Sequence, residues 1–186
     1  MGYNVAIDGP AGAGKSTIAK KIAKELGFVY VDTGAIYRAL AIHFLQQKLK
    51  PEDIAKIKEA CKTAVVTLQY EDGVQKVYLN GEDVTGRLRE EAVGNMASVS
   101  SAIPEVRTQL LELQRGMART NDVVMDGRDI GTNILPNADV KVYLTASVEE
   151  RAKRRYVELQ EKGIACDLEK IARDIEERDN RDMNRE

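Results

Sequence analysis

The sequence predicts an α/β domain, a parallel sheet flanked by helices, carrying a small antiparallel β-containing insertion. Three observations predict it. Short apolar runs of strand length alternate with helically spaced apolar residues near the N-terminus, and a glycine-rich turn joins the first strand to the first helix. From Val65 to about Val84 the rhythm becomes β-rich, with Asp72-Gly73 and Asn80-Gly81 as hairpin turn pairs. A length of 186 residues favours one domain with a subdomain over two domains with separate cores.

Tyr3 to Asp8 reads as a buried strand. Ile18, Ala19, Ile22, Ala23 and Leu26 then recur at helical spacing, and Gly27 stands where a C-cap belongs. Phe28 to Val31 is a second strand, after which Asp32-Thr33 supplies capping chemistry for a helix through Ile36 and Leu40. Pro51 suits the first turn of a helix bearing Ile54, Ile57 and Cys61. The β-rich stretch follows as VVTLQY, QKVYL and a short third segment. Helical spacing resumes over about Leu88 to Ser101, and again after Pro104 in Val106, Leu110, Leu113 and Met117. DVVMD, residues 122–126, and DVKVYL, residues 139–144, are expected as two more core strands. Ser147 with Glu150 forms a capping box for a helix ended by Gly163, and Asp167 caps a last helix. The expected division is a core of about 1–64 and 120–186, an insertion of about 65–103 and a lid of about 155–167, all in one domain.

Composition excludes several function classes. With 28 Lys and Arg against 30 Asp and Glu there is no cationic excess for coating nucleic acid, although a local cluster can still bind a small anion. No apolar run reaches the roughly 18 residues that span a bilayer, so a cytoplasmic protein without membrane partners is expected, with monomer as the default state. Cys61 and Cys166 lack a CxxC spacing and read as reduced thiols. His43 is the sole histidine, which leaves a His-based triad without its members.

The chemistry begins at GPAGAGKST, in which Gly9, Pro10, Ala11, Gly12, Ala13, Gly14, Lys15, Ser16 and Thr17 fit G-x-x-x-x-G-K-[ST] between a strand and a helix. Such a loop converges its amides on a polyphosphate at the positive end of a helix. Lys15 then lies beside the β and γ phosphates, and the Ser16 hydroxyl is the candidate ligand for Mg²⁺, so a magnesium nucleoside triphosphate is implied. Three further clusters bear on where a phosphoryl group goes. DTGAIYR offers Thr33, Tyr37 and Arg38 just past the second strand. DGRDIGT offers Asp126, for a magnesium-bound water, and Arg128, for phosphate, with Asp129 beside it. In the last helix the stripe Leu168, Ile171, Ile175 continues into Arg178, Asp182 and Arg185, so a face expected against the core turns charged and should point into a cleft. Arg151, Arg154 and Arg155 form another basic group. One is expected to close over the phosphates, Arg155 being the candidate, with the other two at the surface. Arginine-rich surroundings suit phosphoryl transfer, which needs positioning and charge stabilisation more than acid or base chemistry.

GPAGAGKST, DTGAIYR, DGRDIGT and ERDNRDMNR together resemble the bacterial cytidylate kinases, members of the P-loop nucleoside monophosphate kinases, over essentially the whole chain. The resemblance implies transfer from ATP, with Mg²⁺, to CMP or dCMP, giving ADP and the corresponding diphosphate. It assigns Gly9 to Thr17 to ATP and Arg38, Arg128 and Arg185 to the acceptor phosphate, and the candidate catalytic residues are Lys15, Arg128, Arg155 and Arg185. Ser98, Arg107 and Asp129 fall near the cytosine, Arg178 with Asp182 near the sugar, and the insertion would bind CMP. Thr33 stands where the family often has Ser. The family pattern continues past residue 186 with a further strand and helix. Two alternatives stay open: a kinase for another small acceptor, such as a different nucleoside monophosphate or shikimate, and a non-catalytic nucleotide sensor. No Asn-Lys-x-Asp guanine-reading pattern is present.

Overall fold

A computed structural model describes residues 2–184. Its first sheet is parallel, built from β1 (Asn4–Asp8), β2 (Val29–Asp32), β6 (Val123–Asp126) and β7 (Val140–Tyr143) in the order β2-β6-β1-β7. Val5 pairs with Val124 and Val140, and Asp32 with Asp126. A strand buried on both faces needs apolar residues on each, and side chains two apart share a face. Ala6, Val31, Val123 and Met125 accordingly join the larger core, packed with α2 (Thr33–Gln46), α3 (Ile54–Cys61), α4 (Glu91–Ser100) and α5 (Pro104–Thr120). Val5, Ile7, Tyr30 and Val124 join a smaller core beneath α1 (Lys15–Leu26), with Ala19 and Ala23.

The insertion is a three-stranded antiparallel sheet of β3 (Val66–Glu71), β4 (Val74–Leu79) and β5 (Glu82–Asp83). Asp72 and Gly73 both have positive φ, 51° and 75°, as do Asn80 and Gly81, 50° and 87°. These are the backbone angles that a two-residue hairpin matched to strand twist requires. Tyr70 and Gln75 dock the insertion on the core sheet. The Tyr70 hydroxyl donates to Tyr30 O at 3.0 Å, Gln75 Oε1 accepts Asp32 N–H at 2.9 Å, and Gln75 Nε2 donates to Asp32 O at 3.3 Å.

The structure departs from or adds to the sequence expectations in three places. β7 is a partly exposed edge instead of a buried core strand: Val140 and Val142 keep 38% and 42% of their surface exposed and Tyr143 69%. The turn after β6 winds as a π-helical turn at Ile130–Ile134. The last helices, α6 (Val148–Glu161) and α7 (Leu168–Met183), pack on each other, and α7 contains no buried residue. Its Leu168, Ile171 and Ile175 stripe is therefore only partly covered, against α6 and not against the core. Among the described residues no helix is long and apolar enough to cross a membrane.

Candidate active site

Three adjacent strands end in aspartates at the same sheet edge, Asp8 on β1, Asp32 on β2 and Asp126 on β6. Ligands bind beyond such carboxyl edges in open α/β sheets. The Asp8 carboxylate accepts the N–H groups of Ile130 at 2.7 Å and Gly131 at 2.8 Å, which fixes the turn that carries Arg128 and Asp129.

Between β1 and α1 the chain turns through Gly9, Gly12 and Gly14, all at positive φ. At Gly9 the need for glycine is steric as well, since a Cβ would lie 1.9 Å from Leu144 O. Gly14 caps α1 with no side-chain bond, so the first amides of the helix are not capped by a side chain and face the loop. Lys15 is 6% exposed and its Nζ donates to Pro10 O at 2.8 Å. Burial, then repulsion by Arg128, lowers its pKa from 10.5 to about 7. A lysine this strained electrostatically gains most from an anion placed beside it.

Ser16 Oγ donates to Asp126 Oδ2 at 2.8 Å, while the Tyr30 hydroxyl donates to Oδ1 at 3.0 Å. Thr33 Oγ1 donates to Asp126 O at 2.7 Å. Asp126 is buried, and desolvation followed by the nearby Asp32 charge raises its pKa. A hydroxyl and a carboxylate in contact fit magnesium, a hard cation that takes oxygen ligands, keeps waters and shares phosphate oxygens. Among the described residues no three or more His, Cys, Asp or Glu group together as a metal cage.

One cleft joins this loop to the arginines. Ala11, Gly12, Lys15 and Ser16 line it together with Arg38, Arg89, Arg107, Arg128 and Arg178. Asp32, Asp126, Asp129 and Asp182 also face it, leaving six cations against four carboxylates. Desolvation is the largest force lowering the pKa of both Arg38 and Arg128. Both nevertheless stay charged, because a guanidinium does not lose its proton in proteins. Asp182 accepts from Arg128 Nε at 2.9 Å, and Arg107 is ion-paired with Asp129.

Of the residues anticipated from sequence, Thr33, Tyr37, Arg38, Ser98, Arg107, Arg128, Asp129, Arg178 and Asp182 all line this cleft. Arg185 lies outside the described residues. Arg155 does not join the cleft: it is about half exposed at 47% and pairs with Glu158 at 2.9 Å, and no residue of 155–167 lines the site. Arg151, expected at the surface, is instead 4% exposed and bonded to the loop. Sequence reasoning also passed over Asp8, Arg89 and Gln114. Gln114 carried a readable signal, for it falls on the Val106, Leu110, Ala118 stripe and is fully buried. Asp8 carried one too, as a charge ending a buried strand.

The comparisons with known proteins agree with this geometry. The sequence model of the family described as cytidylate kinase matches residues 5–186. A cytidylate kinase of Caldicellulosiruptor bescii is 49% identical over 183 residues, 98% of this chain and 81% of that protein. Those of Lactobacillus gasseri and of a Geobacillus species are each 50% identical over 182 residues, 98% of this chain and 79% and 81% of theirs. With a phosphate-binding loop, an arginine-lined cleft and half of all residues shared over nearly its full extent, the chain belongs to the cytidylate kinase family.

Proposed function

We propose that the chain transfers the γ-phosphoryl group of ATP to CMP or dCMP, giving ADP and the corresponding diphosphate. The observation that carries this is the cleft lined by both Lys15 and five arginines, whose positive charge suits an anionic acceptor beside a triphosphate. Family membership supports the same reaction.

In this reading the loop amides from Gly9 to Thr17 and the Lys15 ammonium hold the β and γ phosphates. Arg38 and Arg128 grip the acceptor phosphate, Arg128 being oriented by Asp182. Arg178 and Asp182 meet the sugar, and Ser98, Arg107 and Asp129 meet the cytosine. Ser16, with Asp126 bonded to it, would hold Mg²⁺, which when bound would offset phosphate charge. The protein supplies alignment and positive charge where the transferred group spreads its own, so no histidine is needed. Residues 155–167 are the segment that would close over the phosphates and exclude water, bringing Arg155 with them. The protein is read as a cytoplasmic monomer acting on small nucleotides, without nucleic acid or membrane partners.

The test is ADP release measured with CMP, dCMP, UMP, AMP and shikimate as acceptors. Preference for the two cytosine nucleotides is expected. Preference for any other acceptor defeats the base assignment, and absence of turnover with all five leaves only nucleotide binding.

A further inference from the structure

Arg151, on α6, touches three parts of the molecule at once. Its Nη1 donates to Ala11 O in the phosphate-binding loop at 3.1 Å, and its Nε donates to Ala146 O at 2.9 Å and Ser147 O at 3.3 Å. Both terminal nitrogens meet Asp179 on α7, Nη1 to Oδ1 at 3.1 Å and Nη2 to Oδ2 at 2.5 Å. Its stem covers Gly12, where an added Cβ would lie 3.5 Å from the Arg151 Cβ.

α7 contributes Arg178 and Asp182 to the cleft yet buries no residue of its own. Besides its partly covered stripe against α6, it is tied to the rest of the molecule by ion pairs that include Arg151 with Asp179 and Arg128 with Asp182. Asp179 is the immediate neighbour of Arg178 and lies one turn short of Asp182, so a displacement at Asp179 carries both acceptor-side groups with it. A planar guanidinium with two fixed bonds to one carboxylate transmits orientation as well as charge, which an ammonium cannot do.

We infer that Arg151 is a positioning residue that couples the phosphate-binding loop to α7, so that occupation of the loop by the donor sets Arg178 and Asp182 for the acceptor. The two nucleotides then bind cooperatively, and thermodynamic reciprocity requires each to tighten the other by the same factor. This rests on the ATP and CMP reading above.

The experiment is calorimetric titration of CMP with and without a non-hydrolysable ATP analogue and magnesium. In the parent protein the analogue is expected to tighten CMP binding about fivefold or more. Asp179→Asn and Arg151→Lys, which break the bidentate pair, should bring that ratio close to one while the analogue still binds alone, and Asp179→Glu should recover part of it. A parent protein without cooperativity overturns the inference. So does a variant that keeps the parent ratio while its melting temperature falls, since that is the mark of a purely structural pair. Should Asp179→Asn fail to fold, Arg151→Lys reads the same ratio. A parent protein that binds the analogue but not CMP overturns the acceptor reading instead, which keeps the two failures apart.

Discussion

The Ser16 hydroxyl donates to Asp126 Oδ2 across 2.8 Å, joining the first turn of α1 to the end of β6. The two residues are 110 positions apart in sequence, and the parallel pairing of β1 with β6 is what brings them together. Their contact puts one hydroxyl and one carboxylate where a triphosphate would enter, so the requirement for magnesium should be set by this pair.

Asp126→Asn should therefore weaken magnesium-dependent turnover by about 10- to 100-fold, the usual loss when a supporting group of a metal site is removed. Titrating activity against magnesium concentration checks it, with a rightward shift as the expected result. An unshifted curve with a lowered plateau would assign Asp126 to the fold alone.

The lowered Lys15 pKa gives a prediction with a definite sign. In the protein alone the group titrates at about 7, well below its ordinary 10.5, because burial and then Arg128 disfavour its charge. Phosphates beside it restore the proton, so binding of an ATP analogue at pH 8 should take up protons, and affinity should decline as pH rises above about 7. Calorimetry in two buffers of different ionisation enthalpy reads the uptake, and Lys15→Arg should lose this contribution. Because the unfolded chain holds this proton up to about 10.5, Lys15 also makes the nucleotide-free protein more stable as pH rises from 7 towards that value.

Arg178→Ala should raise the CMP KM by about 10- to 100-fold, the equivalent of one charge-assisted hydrogen bond of roughly 1.5–3 kcal/mol. Binding of the ATP analogue alone should change little if, as proposed, the loop amides and Lys15 provide that grip. Equal loss of both nucleotides would place Arg178 on the donor side.

Two glycine substitutions should move stability in opposite directions. Gly9→Ala meets Leu144 O at 1.9 Å at a φ of 145°, and should destabilise by at least roughly 1–3 kcal/mol. Gly116→Ala, in the interior of α5 with nothing within 4 Å, should stabilise by about 0.5–1 kcal/mol. Thermal melts of the two variants give the comparison directly.

Much of this architecture was legible because it rests on local rules. Positive φ at Asp72-Gly73 and Asn80-Gly81, the Ser147 and Asp167 caps and the glycine loop all follow from residue type at fixed spacing. The charged continuation of the α7 stripe was legible for the same reason, and Arg178 and Asp182 do face the cleft. What was not legible depended on partners distant in sequence. Arg151, Arg154 and Arg155 share one composition, and only the place of Asp179 and Ala11 decides which of them is buried. The exposure of β7 likewise depends on what lies beside an edge, which the apolar alternation of DVKVYL does not encode.

The absence of any buried residue in α7 has a consequence for how solution conditions act on the enzyme. A helix held by a half-covered stripe and a few ion pairs opens locally at lower cost than the apolar core under α2. Mild denaturant should thus erode the acceptor half of the site first and leave the donor loop standing. Amide exchange along residues 168–183 would then quicken well before the molecule as a whole unfolds.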